Sequence, residues 1–328
     1  MTDLYDVAAI GNAIVDVIAP ATDAFLEAEG LVKGSMQLVD EMQATRLYKK
    51  MAQAIEASGG SAANTIAGVA SLGGKAAYMG KVAADQLGSV FVHDIWAVGA
   101  HYQTQPLRVG PSTARCLINV TPDGQRTMCT YLGASTRFAP FDVDQATIEG
   151  AKIVYLEGYL FDPDEARRAF AKAAGLARGA GRQIALTLSD SFVVERHRGA
   201  LMEFIEDQVD ILFANEAEIT ALFETDFDAA VKEVRKHAKI AAVTRGEQGS
   251  VIVSGKKTHK IDAAPVEKVV DTTGAGDQYA AGFLFGLSQG RPLDECGRLG
   301  ALAAAEVISH YGPRPQVSLK ELAAAQGL

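Results

Sequence analysis

Six short apolar runs recur along the chain, at residues 5–10, 76–82, 153–156, 184–188, 211–214 and 240–244. None alternates with polar residues, as a strand with one wet face would. Runs of this kind suit strands buried on both faces of a parallel sheet. Between the later runs lie helical patterns at 164–178, 196–207, 216–223 and 228–237, and a small-residue helix precedes the second run. Alternation of strand and helix predicts an open α/β fold with a mostly parallel sheet.

Two stretches break the alternation. Residues 13–40 carry short apolar pieces around 15–18 and 36–39. Residues 106–132 contain ARCLINV and RTMCTYL on either side of TPDGQR. Pro-Asp-Gly between two β-rich runs is a hairpin signal. The two stretches are expected to form a small sheet beside the main body, placed as a lid. The chain is otherwise read as one domain over residues 1–328, without repeats or a Pro/Gly/Ser linker.

The 328 residues carry a net charge of −9 and no Lys/Arg block, which speaks against nucleic acid as a partner. Three cysteines without short spacing form neither a disulfide framework nor a zinc site. No apolar run approaches a membrane span and the N-terminus lacks a basic n-region, so a cytoplasmic location is expected. Phosphates remain bindable on an acidic chain, because backbone dipoles and metal ions can hold them.

The chemistry concentrates in Asp271-Thr272-Thr273-Gly274-Ala275-Gly276-Asp277. Ala280, Phe283, Leu284 and Leu287 follow at helical spacing. A Gly-Ala-Gly loop thus opens a helix, where unpaired N–H groups and the helix dipole favour an anion. Asp277 falls in the first turn, beside that anion, where a carboxylate can accept the proton of an attacking hydroxyl. The GxxxxGK[ST] loop is absent, as is GxGxxG after the first strand.

This string matches one signature of the ribokinase-like, or PfkB, carbohydrate kinases. A second signature precedes it: Gly59-Gly60-Ser61-Ala62-Ala63-Asn64, continuing through Leu72-Gly73-Gly74 to Met79-Gly80-Lys81-Val82 and Asp85-Gln86-Leu87-Gly88. The resemblance covers essentially the whole chain. It implies a ribokinase-like three-layer α/β fold with a small β-sheet lid, and a kinase using ATP and Mg²⁺ on a small molecule.

Residue by residue, the resemblance makes Asp277 the catalytic base, with Gly274, Ala275 and Gly276 forming the anion hole. Asn215 of Asn215-Glu216-Ala217-Glu218 would lie near the phosphates, and Glu218 would hold Mg²⁺ through water. Thr244, Gly246 and Gly249 resemble the family's nucleotide-side turn, and Gly312-Pro313-Arg314-Pro315 the segment flanking the adenine of ATP. Family members often respond to K⁺ beside the anion hole; Asp271 and Thr273 match that position, and use of the ion is left open.

The acceptor side begins at Asn12 and Asp16, just after the first strand. A carboxylate there can take two hydrogen bonds from a vicinal diol, and Gly60, Ser61 and Asn64 would add contacts to the same sugar. The spacing Gly11-Asn12-x-x-x-Asp16 and the segment 31–38 look more like adenosine kinases than bacterial ribokinases. Adenosine is therefore the expected acceptor, with ribose, fructose or a related sugar as the alternative; a non-catalytic nucleotide sensor is a third reading. Met36, Leu38, Cys116, Tyr131 and Tyr159 are candidates to cover the base. Monomer and homodimer both stay open.

Overall fold

The structure is a computed structural model that describes residues 4–328. Its main sheet has nine strands. In spatial order they are Lys257–Ile261, Ser250–Ser254, Ile240–Thr244, Ile211–Asn215, Gln183–Thr187, Ala151–Glu157, Tyr5–Ile10, Ala76–Met79 and His101–Tyr102. Pairing is parallel from Ile240–Thr244 to His101–Tyr102 and antiparallel in the terminal hairpin.

The apolar runs have their reason in two cores. Ala8 and Ile10 face one, with Val154, Leu186, Phe170 and Leu201. Val7 and Ala9 face the other, with Ile153, Ile66, Ala280 and Phe283. Successive side chains point to opposite faces, so a strand covered on both sides must be apolar throughout. Helices Asp164–Gly179 and Ser191–Gln208 cover one face; Ser61–Ser71, Ala275–Ser288 and Leu293–Ile308 cover the other. This makes three layers. Among the described residues no helix is long and apolar enough to cross a membrane.

The second sheet has five strands, in the order Met36–Leu38, Arg126–Tyr131, Ala114–Val120, Ile14–Pro20 and Ile55–Gly59. The Thr121–Gln125 turn closes its hairpin, with Gly124 at φ +81° and its N–H on Thr121 O at 2.8 Å. Helix Glu41–Tyr48 packs Ala44 and Leu47 on one face, against Val17, Leu117 and Cys129. Asp16, Cys116, Ile118, Met128 and Thr130 point the other way, into a cavity.

Several boundaries differ from the sequence reading. The strand expected over 76–82 ends at Met79. The helix expected from 196 starts at Ser191, because Asp190 caps it by accepting Phe192 N at 2.7 Å; it bends at His197. The helix expected from 228 starts at Phe227, capped by Asp226. Strand Ile55–Gly59 was not foreseen. It is an edge strand with Ile55 exposed, and its pattern comes from its partner rather than its own residues.

Candidate active site

The carboxyl ends of the parallel strands open into a cavity of about 650 Å³, roofed by the second sheet. A ligand crevice is expected at this edge of an open α/β sheet. The first strand delivers Asn12; strands Ile211–Asn215 and Ile240–Thr244 deliver Asn215 and Thr244. Helix Ser61–Ser71 brings Gly60, Ser61 and Asn64, and helix Ala275–Ser288 brings Gly274, Ala275, Gly276 and Asp277. Asp16, Glu218 and Thr273 complete the candidates that line it.

Asp277 is the centre of this arrangement. Ser61 Oγ donates to its Oδ1 at 2.6 Å, and Asn64 Nδ2 donates to its Oδ2 at 3.1 Å. Burial pushes the carboxyl up to about 6 against those two hydrogen bonds, which favour the charged form. The group is thus poised to change protonation near neutrality. Gly274 begins the helix at φ +81°, and a Cβ there would strike Pro313 at 2.7 Å. Gln278 N, on Gly274 O at 2.8 Å, is the first intrahelical donor, so the Gly276 and Asp277 amides stay free for an anion. The Ala275 amide differs from expectation, being engaged by Thr272 O at 3.2 Å.

Around Asn12 the decisive residue is one that sequence reasoning missed. Glu157 ends its strand fully buried, and its Oε1 accepts both Asn12 Nδ2, at 2.9 Å, and Asn12 N, at 3.2 Å. Its Oε2 accepts Ala62 N at 2.9 Å, tying the first turn of helix Ser61–Ser71 to the strand. Burial raises its carboxyl to about 7. The bonds to Asn12 leave the amide Oδ1 as a free acceptor. A carboxylate closing the apolar run Tyr155-Leu156-Glu157 was the available sequence signal. Asp16 is raised to about 7 by burial, against the pull of Arg314 and Arg126. Its carboxyl lies over Gly59, whose missing Cβ would come within 2.4 Å of Asp16 Oδ2.

On the other side Asn215 and Glu218 form a reciprocal helix cap. Asn215 Nδ2 donates to Glu218 Oε1 at 2.7 Å, Asn215 N donates to Oε2 at 3.0 Å, and Glu218 N donates back to Asn215 Oδ1 at 2.8 Å. Burial, with the nearby charges of Asp190 and Asp277, lifts Glu218 to about 7. Asp190, Glu218 and Asp277 therefore face one cavity, where the charges of the other two act on Glu218. A divalent cation suits that field, and hard oxygen donors are the ligands it takes.

Four expectations meet a different arrangement. Gly246 and Gly249 do not line the cavity; they shape the turn after Thr244, where Gly249 at φ +75° has no room for a Cβ beside Ile261 O. Asp271 stands behind the wall. Its Oδ1 accepts Thr273 N and Oγ1, and its Oδ2 takes Gly312 N at 3.0 Å and the Arg126 guanidinium at 2.5 Å. Tyr131 points to the helix side of the second sheet, over Arg115, whereas Met36, Leu38, Cys116 and Tyr159 do line the cavity. Finally, only Pro313 of the 312–315 segment reaches the wall, and Arg314 turns toward Asn64. Arg126 and Phe192 carried no local signal, and Arg314 only as part of the 312–315 segment.

A helix opening on free amides, with a half-buried carboxylate in its first turn and carboxylates across the cavity, is built to move a phosphoryl group. The sequence profile of the pfkB family carbohydrate kinases matches residues 6–319. The chain belongs to this family. As such it is a kinase acting on a small molecule with ATP, and its family implies a divalent metal. The solved structure of adenosine kinase from Sinorhizobium meliloti is 54% identical, with a TM-score of 0.92 over 99% of this chain and 100% of that one. A probable sugar kinase protein from Rhizobium etli CFN 42 is 50% identical, with a TM-score of 0.93 over 100% and 99%. Adenosine kinase from Saccharomyces cerevisiae is 28% identical over 331 residues, 93% of this chain and 95% of that protein.

Proposed function

We propose that this kinase transfers the γ-phosphoryl group of ATP to the 5′-hydroxyl of a ribonucleoside, adenosine, giving AMP. The observation that carries the reading is the wall above Asp16. Met36, Leu38, Cys116, Ile118, Met128 and Leu132 make an apolar roof, and Tyr159 and Phe192 stand opposite. A base would fill that space; a free sugar would leave it wet. The 54% identical adenosine kinase supports the same acceptor.

In this reading Asp16 takes the ribose diol, and Asn12 Oδ1 and Asn64 hold further hydroxyls. Asp277 accepts the proton of the attacking hydroxyl, and the Gly276 and Asp277 amides meet the charge on the transferring group. Asn215 and Thr244 lie on the ATP side. Glu218 and Asp190 would hold Mg²⁺, which supplies charge neutralisation at the phosphate oxygens. The second sheet acts as a lid that excludes water, and Arg126 latches it to the anion loop through Asp271.

A sugar acceptor is the second reading, favoured by the 50% identical probable sugar kinase. A coupled ADP-release assay with adenosine, guanosine, inosine, ribose and fructose decides between them. Saturable turnover on adenosine is expected. Turnover only on a free sugar would overturn the nucleoside assignment and keep the base and anion hole; binding of ATP and adenosine with no turnover of anything would overturn both.

A further inference from the structure

Arg314 is given no part in the reading above. It lies between Pro313 and Pro315, partly exposed as a residue but with Nη2 of its guanidinium buried. Nε donates to Asn64 Oδ1 at 3.2 Å and Nη1 to Ser58 Oγ at 2.5 Å, while Nη2 has no hydrogen-bond acceptor. A guanidinium withdrawn from water with incomplete pairing is costly, so its charge or shape calls for a use.

The surroundings narrow that use. The ionisable groups facing Arg314 are Asp16 on strand Ile14–Pro20, Asp94 on helix Gln86–Ala97 and Tyr78 on strand Ala76–Met79. Asp94 is already engaged, its Oδ2 by Ser58 N at 2.9 Å and its Oδ1 by His93 Nδ1 at 3.1 Å. Tyr78 stays protonated, its phenol pushed up by burial. That leaves Asp16, whose carboxyl lies against Gly59, next to the Ser58 that Nη1 reaches; the charges of Arg126 and Asp277 also act on it, and its own acts on Cys116.

The segment is also fixed in place. Two prolines restrict its backbone. Gln278 Nε2 donates to Pro313 O at 3.0 Å and to Asn64 O at 2.9 Å, so one buried side chain ties the Arg314 segment to both active-site helices. A guanidinium only donates, and a carboxylate only accepts. Lying between Arg314 and Asp277, the Asn64 amide can therefore take only one orientation, with Oδ1 toward the arginine and Nδ2 toward the base.

We propose that Arg314 is a positioning residue of the acceptor site, orienting Asn64 toward Asp277 and setting a fixed positive charge beside Asp16. This rests on the reading of Asn12, Asp16 and Asn64 as the acceptor site. It predicts an effect on acceptor binding from a side chain behind the cavity wall.

The test is steady-state kinetics on the full chain, with ATP and adenosine varied separately, or with ribose or fructose if the panel finds the sugar active. The variants are R314M, R314K, D16N and R314M/D16N. R314M is expected to raise acceptor KM at least about tenfold, as loss of a hydrogen-bonded charge behind a site does, with ATP KM within about twofold. R314K restores part of the loss, because it keeps the charge without the fork. In the D16N background the same R314M change costs a smaller factor, since coupled sites are non-additive, and what remains is the Asn64 contribution. Equal factors in both backgrounds, or ATP KM rising in step, would mean general damage and overturn the proposal. If R314M does not fold, R314K decides: its acceptor KM must rise with ATP KM unchanged, and wild-type values overturn the proposal. An unaltered acceptor KM in D16N overturns the acceptor-site reading and Asp16's part here with it. A weakened D16N beside a wild-type-like R314M overturns the Arg314 proposal alone.

Discussion

Replacing Asp277 by Asn should make the chain inactive and, at pH 8, more stable. In the folded chain burial holds this carboxyl near 6, against 3.8 ordinarily. A shift of about two units corresponds to about 3 kcal/mol, at about 1.4 kcal/mol per unit. The sign follows from the direction of the shift. Below pH 3.8 both folded and unfolded chains carry the proton and there is no penalty. As pH rises from 3.8 to 6, the unfolded chain releases the proton first, so the fold loses stability, and above 6 the loss is complete. Asn carries no charge and escapes this penalty. Its NH₂ would meet the NH₂ of Asn64, so one hydrogen bond is lost, at a cost of about 1 kcal/mol. The net gain at pH 8 is about 2 kcal/mol. With an unfolding entropy of about 2 cal/mol/K per residue, a chain of this size should melt about 3 °C higher. At pH 5 the penalty is about half as large, and the difference in melting shrinks toward 1 °C. Scanning calorimetry of both proteins at pH 5 and pH 8 measures this, and ADP release should fall by about 10²–10⁴. A variant that melts lower at pH 8, or gains equally at both pH values, would show that desolvation does not destabilise the Asp277 carboxylate. Near-full turnover would remove it as the base.

Three further outcomes follow from the geometry. Ser61→Ala removes a hydrogen bond to a charged oxygen, worth about 1.5–3 kcal/mol, and should move Asp277's acid limb in the pH profile of kcat/KM up by about one to two units; an unmoved or lowered limb would contradict the 2.6 Å contact. Gly59→Ala places a methyl group against the Asp16 carboxyl and should raise acceptor KM about tenfold or more while sparing ATP KM, read from the same two-substrate kinetics. Glu218→Gln should weaken Mn²⁺ or Mg²⁺ binding about 10–100-fold, as changes in a metal's supporting groups do; titration of the protein–ATP complex followed by Mn²⁺ resonance checks this independently of turnover.

How much of this was legible depended on how local each cause was. Strands Tyr5–Ile10 and Ile240–Thr244 and helix Glu216–Phe223 lie where their residues alone put them, because two covered faces and a helical repeat are written in adjacent positions. The DTTGAGD string, the GGSAAN string and NAIVD could be read for the same reason, and the cavity gathers residues from all three. Glu157 was hidden because its partners, Asn12 and Ala62, lie 145 and 95 residues away. Arg126 reaches Thr273 across 147 residues, and Arg314 reaches Asn64 across 250. Tyr131 was placed on the wrong face by parity alone. Register pairs Cys116 with Thr130 on the cavity side, which sends Arg115 and Tyr131 to the other; in a sheet, one residue decides the face.

The long reach of Arg314 also sets an order of events during synthesis. Asn12, Asp16 and Asn64 emerge early from the ribosome, Asp277 more than 200 residues later (216 separate it from Ser61), and Arg314 last. At about 5–20 residues per second, tens of seconds at the slower rates separate the first of these from the last. In the proposed reading, the nascent chain holds through that interval an acceptor half-site with no base and no counter-charge beneath it, and the centre is complete only when the final helices dock.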